Sequence, residues 1–330
     1  MAMAEGAALV SGGTTTVDAA MATGDRAGAT TAFGRQMQLR RDPTTPGRFH
    51  VDVDPGWNCP IVPQGGVMAA LAAEAMAQAL DDPAQGLRTM TTVFVAQVPA
   101  GPVTIDATVL RRGRSMSQMS AVVRGEGADQ GHVTTAVFGR DRGGFEFTDL
   151  TMPDVPGPAD CPSFRDPPPA GVDFEPPPDR PEFAFWDRVE GRPAQGHAPW
   201  DDYVPTSSEC AFWYRLDEPP MRADGTLDPR AVIALSDLMP SSVGERMGPG
   251  PRTWFPPSAD LTVHLFGEAR SEWLLASLRA RRATAGYASV ETALWDPSDR
   301  SLVAHAAQVM FLVFPDGAPT GADRLPVDQR

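Results

Sequence analysis

Residues 63 to 80 read Pro63-Gln64-Gly65-Gly66-Val67-Met68-Ala69-Ala70-Leu71-Ala72-Ala73-Glu74-Ala75-Met76-Ala77-Gln78-Ala79-Leu80, and this stretch decides the fold. Two glycines open a long alanine-rich helix that has almost no polar face. A helix apolar nearly all round must be wrapped by other structure. The wrapping follows directly in the chain. Residues 87–98, 103–112, 115–125 and 131–140 are rich in Val, Thr and Ile and are separated by Pro-Gly, Gly and Gly-Glu-Gly turns, which is the pattern of an antiparallel meander. One buried helix followed by a meander is an α+β arrangement.

Upstream, residues 36–39 and 48–53 read as short strands, the second alternating as Phe49, Val51, Val53 and ending on Asp54-Pro55-Gly56 turn chemistry. Residues 1–32 are rich in Ala, Gly and Thr without periodicity and read as a flexible leader. Downstream, residues 151–181 are dense in proline, which suits neither sheet interior nor helix, and so mark a linker between domains at 33–150 and 182–315. The order of elements then repeats: strands over 183–192 and 208–216, a helix over 228–247, and strands over 261–266, 272–285, 288–296 and 302–314. Residues 316–330 return to a polar tail. Two halves with one order of elements suggest duplication, and the turn Asp296-Pro297-Ser298-Asp299-Arg300 falls where Glu126 to Gln130 lies in the first half.

Composition narrows the function classes. The chain has 330 residues, room for two domains, and a formal net charge of −14, which argues against nucleic acid or an anionic membrane as partner. No run approaches the roughly 20 apolar residues a membrane helix needs. Cys59, Cys161 and Cys210 are widely spaced and odd in number, so a reducing compartment is expected. The first 30 residues lack a basic start with an apolar run, and a cytoplasmic location is expected by elimination. The five histidines show no ligand spacing, so neither metal nor cofactor is expected. No Gly-x-Ser-x-Gly elbow is present, and no cysteine has a histidine nearby in sequence, which points away from a nucleophilic acyl-enzyme.

A buried helix wrapped by a curled sheet is the hot-dog arrangement, and the chain resembles the double hot-dog type II acyl-CoA thioesterase family over about residues 33–315. The resemblance is carried by Pro63 to Gly66, Thr91 to Gly101 and Leu110 to Ser115 in the first half. In the second half it is carried by Ala234-Leu235-Ser236-Asp237-Leu238-Met239, Ser258 to His264, Glu272 to Leu275 and Leu302 to Gln308. It implies two fused hot-dog domains, hydrolysis of an acyl-CoA or acyl-carrier thioester within lipid metabolism, and room for a homo-oligomer of such units. It also implies that an attacking water is held by the residues matching the family's Asp, Thr/Ser and Gln, here Asp237, Ser258 and Gln308. The family usually has His-Gly-Gly where this chain has Gln64-Gly65-Gly66, which weakens the case for chemistry in the first half.

Read from the residues, Asp237 lies in an apolar helical stretch. It is either a carboxylate on a solvated face or a partly buried base of raised pKa; the resemblance selects the second. Gln308 lies among alternating apolar residues and can both accept from and donate to water, or simply face solvent. Ser258, Asp260, Thr262 and His264 alternate and are expected on one strand face, lining a cavity or an interface. Gly65 and Gly66 either let a thioester carbonyl approach the helix N-terminus or serve close packing. Arg111, Arg112 and Arg114, with Arg279, Arg281 and Arg282, are candidates for phosphate recognition, or hairpin charges that keep a sheet edge soluble. Two rival readings keep the fold: an enoyl-thioester hydratase or dehydratase, for which no His and Asp pair on a loop-helix is visible, and a non-catalytic acyl-thioester binding module.

Overall fold

A computed structural model describes residues 26–172, 183–198, 200–249, 254–315 and 317–318. Twelve strands form one antiparallel sheet in the order β1-β2-β4-β5-β6-β3-β9-β12-β11-β10-β8-β7. In the first half these are β1 (Arg40–Arg41), β2 (Arg48–Val53), β3 (Gly86–Phe94), β4 (Gly101–Arg111), β5 (Met116–Gly125) and β6 (His132–Gly139). In the second they are β7 (Val189–Gln195), β8 (Cys210–Leu216), β9 (Asp260–Leu265), β10 (Leu274–Thr284), β11 (Tyr287–Asp296) and β12 (Ser301–Phe311). Read inward from its two edges the sheet has the same strand order in both halves, and they join where β3 pairs with β9, Thr89 opposite His264 through Val93 opposite Asp260. The protein is two fused hot-dog units sharing a continuous sheet.

The helices are α1 (Arg26–Ala29), α2 (Ala32–Gln36), α3 (Gly65–Leu80), α4 (Pro229–Ser236) and α5 (Pro240–Met247). α3 is the helix of the deciding stretch, and Ala77 is its one exposed residue. Its apolar surface is covered by inward residues of the sheet such as Met90, Ile105, Met119 and Val123 on one side and by α4 on the other, all within one core cluster. α3 and α4 run side by side in opposite directions, Gly66 beside Ala234 and Asp237 at one end and Glu74 bonded to Arg230 at the other.

Four sequence expectations change. Residues 36–39 are not a strand: Phe33, Gln36 and Met37 are buried at helical spacing, and Thr31 caps α2 by accepting from the Gly34 N–H at 2.9 Å. The same helices show that the leader expected over 1–32 gives way to structure by Arg26, while residues 1–25 lie outside those described. The strand expected over 183–192 begins as a 3-10 turn at Ala184–Asp187, because Phe185 turns in against Trp57, with ring centroids 6.4 Å apart. The helix expected over 228–247 is broken. Pro240 has no N–H to offer the Ser236 carbonyl, so α4 stops at Ser236 and α5 restarts at Pro240.

The proline-rich segment, described as far as residue 172, is a strap rather than a bare spacer. Met152 and Cys161 pack with Trp213, Leu275, Ala293 and Trp295 in a second apolar cluster, and the Pro156 carbonyl accepts from Trp213 Nε1 at 2.8 Å. The remainder of the expected linker, residues 173–182, lies outside the described part.

Candidate active site

The break between α4 and α5 is where the site begins. Asp237 is the residue after the last turn of α4, and its side chain points at the N-terminus of α3 from the other half. Carboxylate Oδ2 accepts the Gly66 N–H at 2.8 Å and a Gln64 Nε2 hydrogen at 3.2 Å. Burial pushes the Asp237 carboxyl up to about 7, against the opposing pull of the Gly66 N–H and Ser258. The glycines are there because the approach is so close. A Cβ at Gly65 would sit 2.7 Å from Asp237 Oδ2 and 2.8 Å from Phe94 Cζ, and one at Gly66 would sit 2.7 Å from the Ala234 carbonyl oxygen.

Ser258 and Gln308 complete the cluster. Ser258 Oγ lies 3.4 Å from Asp237 Oδ1 and 3.4 Å from Gln308 Oε1, so its single proton serves one of them at a time. Gln308 points inward from β12, is almost wholly buried, and its Nε2 has no partner. A buried amide donor without a partner is costly, and one aimed into a polar cluster is a place for a water or a ligand oxygen. The structure therefore brings Asp237, Ser258 and Gln308 together, along with Gln64, Gly65 and Gly66 of the first half.

Ser258 does not share the face of Asp260, Thr262 and His264. Between Thr262 opposite Ala307 and Ser258 opposite Met310 the pairing with β12 slips by one residue, which turns Ser258 to the inner face. The other three stay outside and bond across the sheet: Thr262 Oγ1 to Thr91 Oγ1 at 2.9 Å, His264 Nδ1 to Thr89 Oγ1 at 3.0 Å, and Asp260 Oδ1 to the Val309 N–H at 2.7 Å. The expected polar face is thus a sheet surface and not the lining of the site.

Gln64 has a larger part than its departure from the family's histidine suggested. Its Oε1 caps α3 by accepting the Val67 N–H at 2.8 Å, while Nε2 reaches the carbonyl oxygens of Ala234 and Asp237 at 3.1 and 3.0 Å. The residue thus ties α3 of the first half to the peptide that carries Asp237 in the second. With Gly66 and Val67 engaged, the first free N–H of α3 is that of Gly65.

Arg112 is not at this end, whereas Arg279, Arg281 and Arg282 lie on β10 two strands from Gln308 and level with it, Ala280 standing opposite Val290 and Val290 opposite Gln308. Arg112 Nη1 donates to the Leu80 carbonyl at 2.6 Å, at the C-terminus of α3, a helix of 16 residues, or ~24 Å. Arg111 and Arg114 are exposed nearby in sequence, and Arg279 and Arg281 pair with Glu209 and Glu291. Sequence reasoning missed three neighbours of the site. Phe94 stands over Gly65, and its ring meets His132 edge-on with centroids 4.9 Å apart. The Cys59 thiol, pushed up to about 12 by burial and by Asp237, is protonated and unsuited to nucleophilic attack. Only the adjacency of Cys59 to the Gln64-Gly65-Gly66 turn could have signalled any of them.

The sequence profile for acyl-CoA thioesterase C-terminal domains matches residues 158–312, and that for the N-terminal domains matches residues 53–139. The chain belongs to the acyl-CoA thioesterase family. The overall structure is similar to a hot-dog protein of unknown function from Alicyclobacillus acidocaldarius, with 25% identity, a TM-score of 0.69, and 87% of this chain and 99% of that one covered. It shares its fold with an acyl-CoA thioesterase II from Mycobacterium marinum, with 18% identity, a TM-score of 0.64, and 87% and 100% covered. Among curated proteins none matches the sequence. The thioesterase thus has a buried carboxylate, an inward hydroxyl and an inward amide at the seam between its two hot-dog units, and no helix among its described residues is long and apolar enough to cross a membrane.

Proposed function

We propose that this thioesterase hydrolyses acyl-CoA or acyl-carrier thioesters with a water activated by Asp237, without an acyl-enzyme. The observation that carries the reading is the Asp237 carboxylate, buried and raised to about 7, whose Oδ1 shares Ser258 Oγ with the side chain of Gln308, an amide whose Nε2 has no partner. A carboxylate near 7 is ionised often enough to accept a proton and basic enough to pull it. Water held between Asp237 Oδ1 and Gln308 gives its proton to Asp237 as its oxygen attacks the thioester carbon. The oxyanion is met by the Gly65 N–H and the positive end of α3. As the carbon–sulfur bond breaks, the sulfur leaves with the electron pair and recovers the proton from Asp237, which returns the site to its starting state.

Gln64 and Ser258 are positioning residues in this scheme. Gln64 fixes the turn that carries Asp237, and Ser258 shares its proton between the base and Gln308, orienting the amide. We also place the protein in the cytoplasm, consistent with three cysteines that are all unpaired. The experiment is thiol release from a panel of acyl-CoAs by the purified full chain. Turnover of any of them is expected, and the absence of turnover on every acyl length would overturn the reading.

A further inference from the structure

β6 opens at His132, which lies directly across from Phe94 on β3 and from Val123 on β5. Inward neighbours along the same strand are accounted for: Thr134 bonds Thr92 Oγ1 at 2.9 Å, and Ala136 and Phe138 are apolar core. His132 is different. It is nine-tenths buried, and its Nδ1 is out of solvent with no hydrogen-bond partner. An apolar side chain of similar volume would fill the same space without that cost.

The position gives the unpaired nitrogen a use. The tip of the Phe94 ring comes within 2.8 Å of the point where a Gly65 Cβ would stand, and Asp237 Oδ2 is 2.7 Å from that same point. Phe94 therefore separates the Asp237 and Gly65 end of the site from His132, whose ring packs perpendicular to it. Burial holds the imidazole well down, to about 4, so it is uncharged near neutral pH. A neutral imidazole offers one donor and one acceptor but no charge, which fits an amide or hydroxyl and not a phosphate.

We propose that His132 is a specificity residue, whose ring nitrogen hydrogen-bonds a neutral amide or hydroxyl of the thioester substrate as it enters beside Phe94. The group belongs either to the pantetheine arm, whose amide follows the thioester sulfur by two carbons, or to an oxygen substituent on the acyl chain. The inference rests on the hydrolytic reading above and adds the class of group recognised.

The test compares wild type, His132→Leu and His132→Asn on four substrates built on an acyl group that wild type hydrolyses. These are the saturated acyl-CoA, its 3-hydroxy counterpart, the N-acetylcysteamine thioester and the S-ethyl thioester that lacks any amide. If the pantetheine amide is bound, His132→Leu should lower kcat/KM about tenfold, mainly through KM, on both CoA substrates and the N-acetylcysteamine thioester but not on the S-ethyl thioester. If an acyl oxygen is bound, the loss should be confined to the 3-hydroxy substrate. In either case His132→Asn should restore part of the loss, and His132→Leu should melt no lower than wild type. Equal efficiency of wild type and His132→Leu on all four, or an equal loss on all four, would overturn the proposal. Failure of wild type on every thioester would instead overturn the hydrolytic reading beneath it.

Discussion

The two helix junctions of the seam are built alike and end in opposite chemistry. At one, a carboxylate from the second half, Asp237, meets the N-terminus of α3; at the other, a carboxylate from the first half, Glu74, meets the N-terminus of α4. Asp237 finds two glycines and an amide there and, among the described residues, no cation, so burial raises its pKa. Glu74 finds Arg230, which bonds it at 2.7 Å through Nη1 and is also held by Asp228, the residue that caps α4. A polar cavity of about 240 Å³ remains beside Glu74 and Arg230, but its charges are matched. A buried carboxylate without a cation is a base; the same group beside a guanidinium is a fixed ion.

The largest expected effect breaks the first junction. Asp237→Asn keeps shape and removes the proposed base, so kcat should fall by roughly 10²–10⁴ with the fold retained, as thiol release and circular dichroism would show. The same variant carries a stability signature. The folded-state pKa of Asp237 is raised, so the carboxyl favours the fold fully only below about pH 4 and loses that contribution as pH rises through about 7. Thermal melts of Asp237→Asn should therefore gain on wild type between pH 4 and pH 8, and a gap that stays constant would contradict the raised pKa.

The next effect is on the second junction and should touch stability rather than catalysis. Arg230→Met strands the buried Asp228 and the partly buried Glu74 without their cation, at a cost of about 3–5 kcal/mol by denaturant titration, with kcat of the folded enzyme close to wild type. A catalytic loss as deep as that of Asp237→Asn would mean that both junctions work. Smaller again, Gln64→Ala removes a helix cap and the tie to the Asp237 peptide. It should cost about 0.5–2 kcal/mol of stability and lower kcat/KM by up to about tenfold. Gln308→Ala, which strips the unpartnered amide from the proposed water site, should lower kcat/KM by more than Gln64→Ala does while melting no lower than wild type. If Gln64→Ala were the more damaging to activity, the tie between the halves, and not the water site, would limit the rate.

The contrast also explains what the sequence could and could not reveal. The wrapped helix was legible because eighteen residues carry nearly one polarity, and most strands because Val and Thr alternate between turn residues, so both signals are local. The strand over 36–39 was misread because Phe33, Gln36 and Met37 form a period too short to outweigh the neighbouring extended pattern. Asp237, Ser258 and Gln308 were singled out through family motifs, but their geometry was not readable. The helix break that frees Asp237 depends on Pro240, the turn of Ser258 depends on a one-residue slip against β12, and the Gln64 tie spans 173 residues of sequence. Arg112 was misleading for a related reason, since composition gives charge but not which end of α3 the charge occupies.

The claim that a buried Asp237 carboxylate at the α3 N-terminus supplies the base is tested most directly by kcat/KM against pH for the wild-type enzyme on a single acyl-CoA. The ionised form is the active one, so the profile should climb with unit slope from acid, bend near pH 7 and level off above it. A profile that is flat from pH 5 to pH 8, or that bends near the ordinary carboxylate range around pH 4, would contradict it.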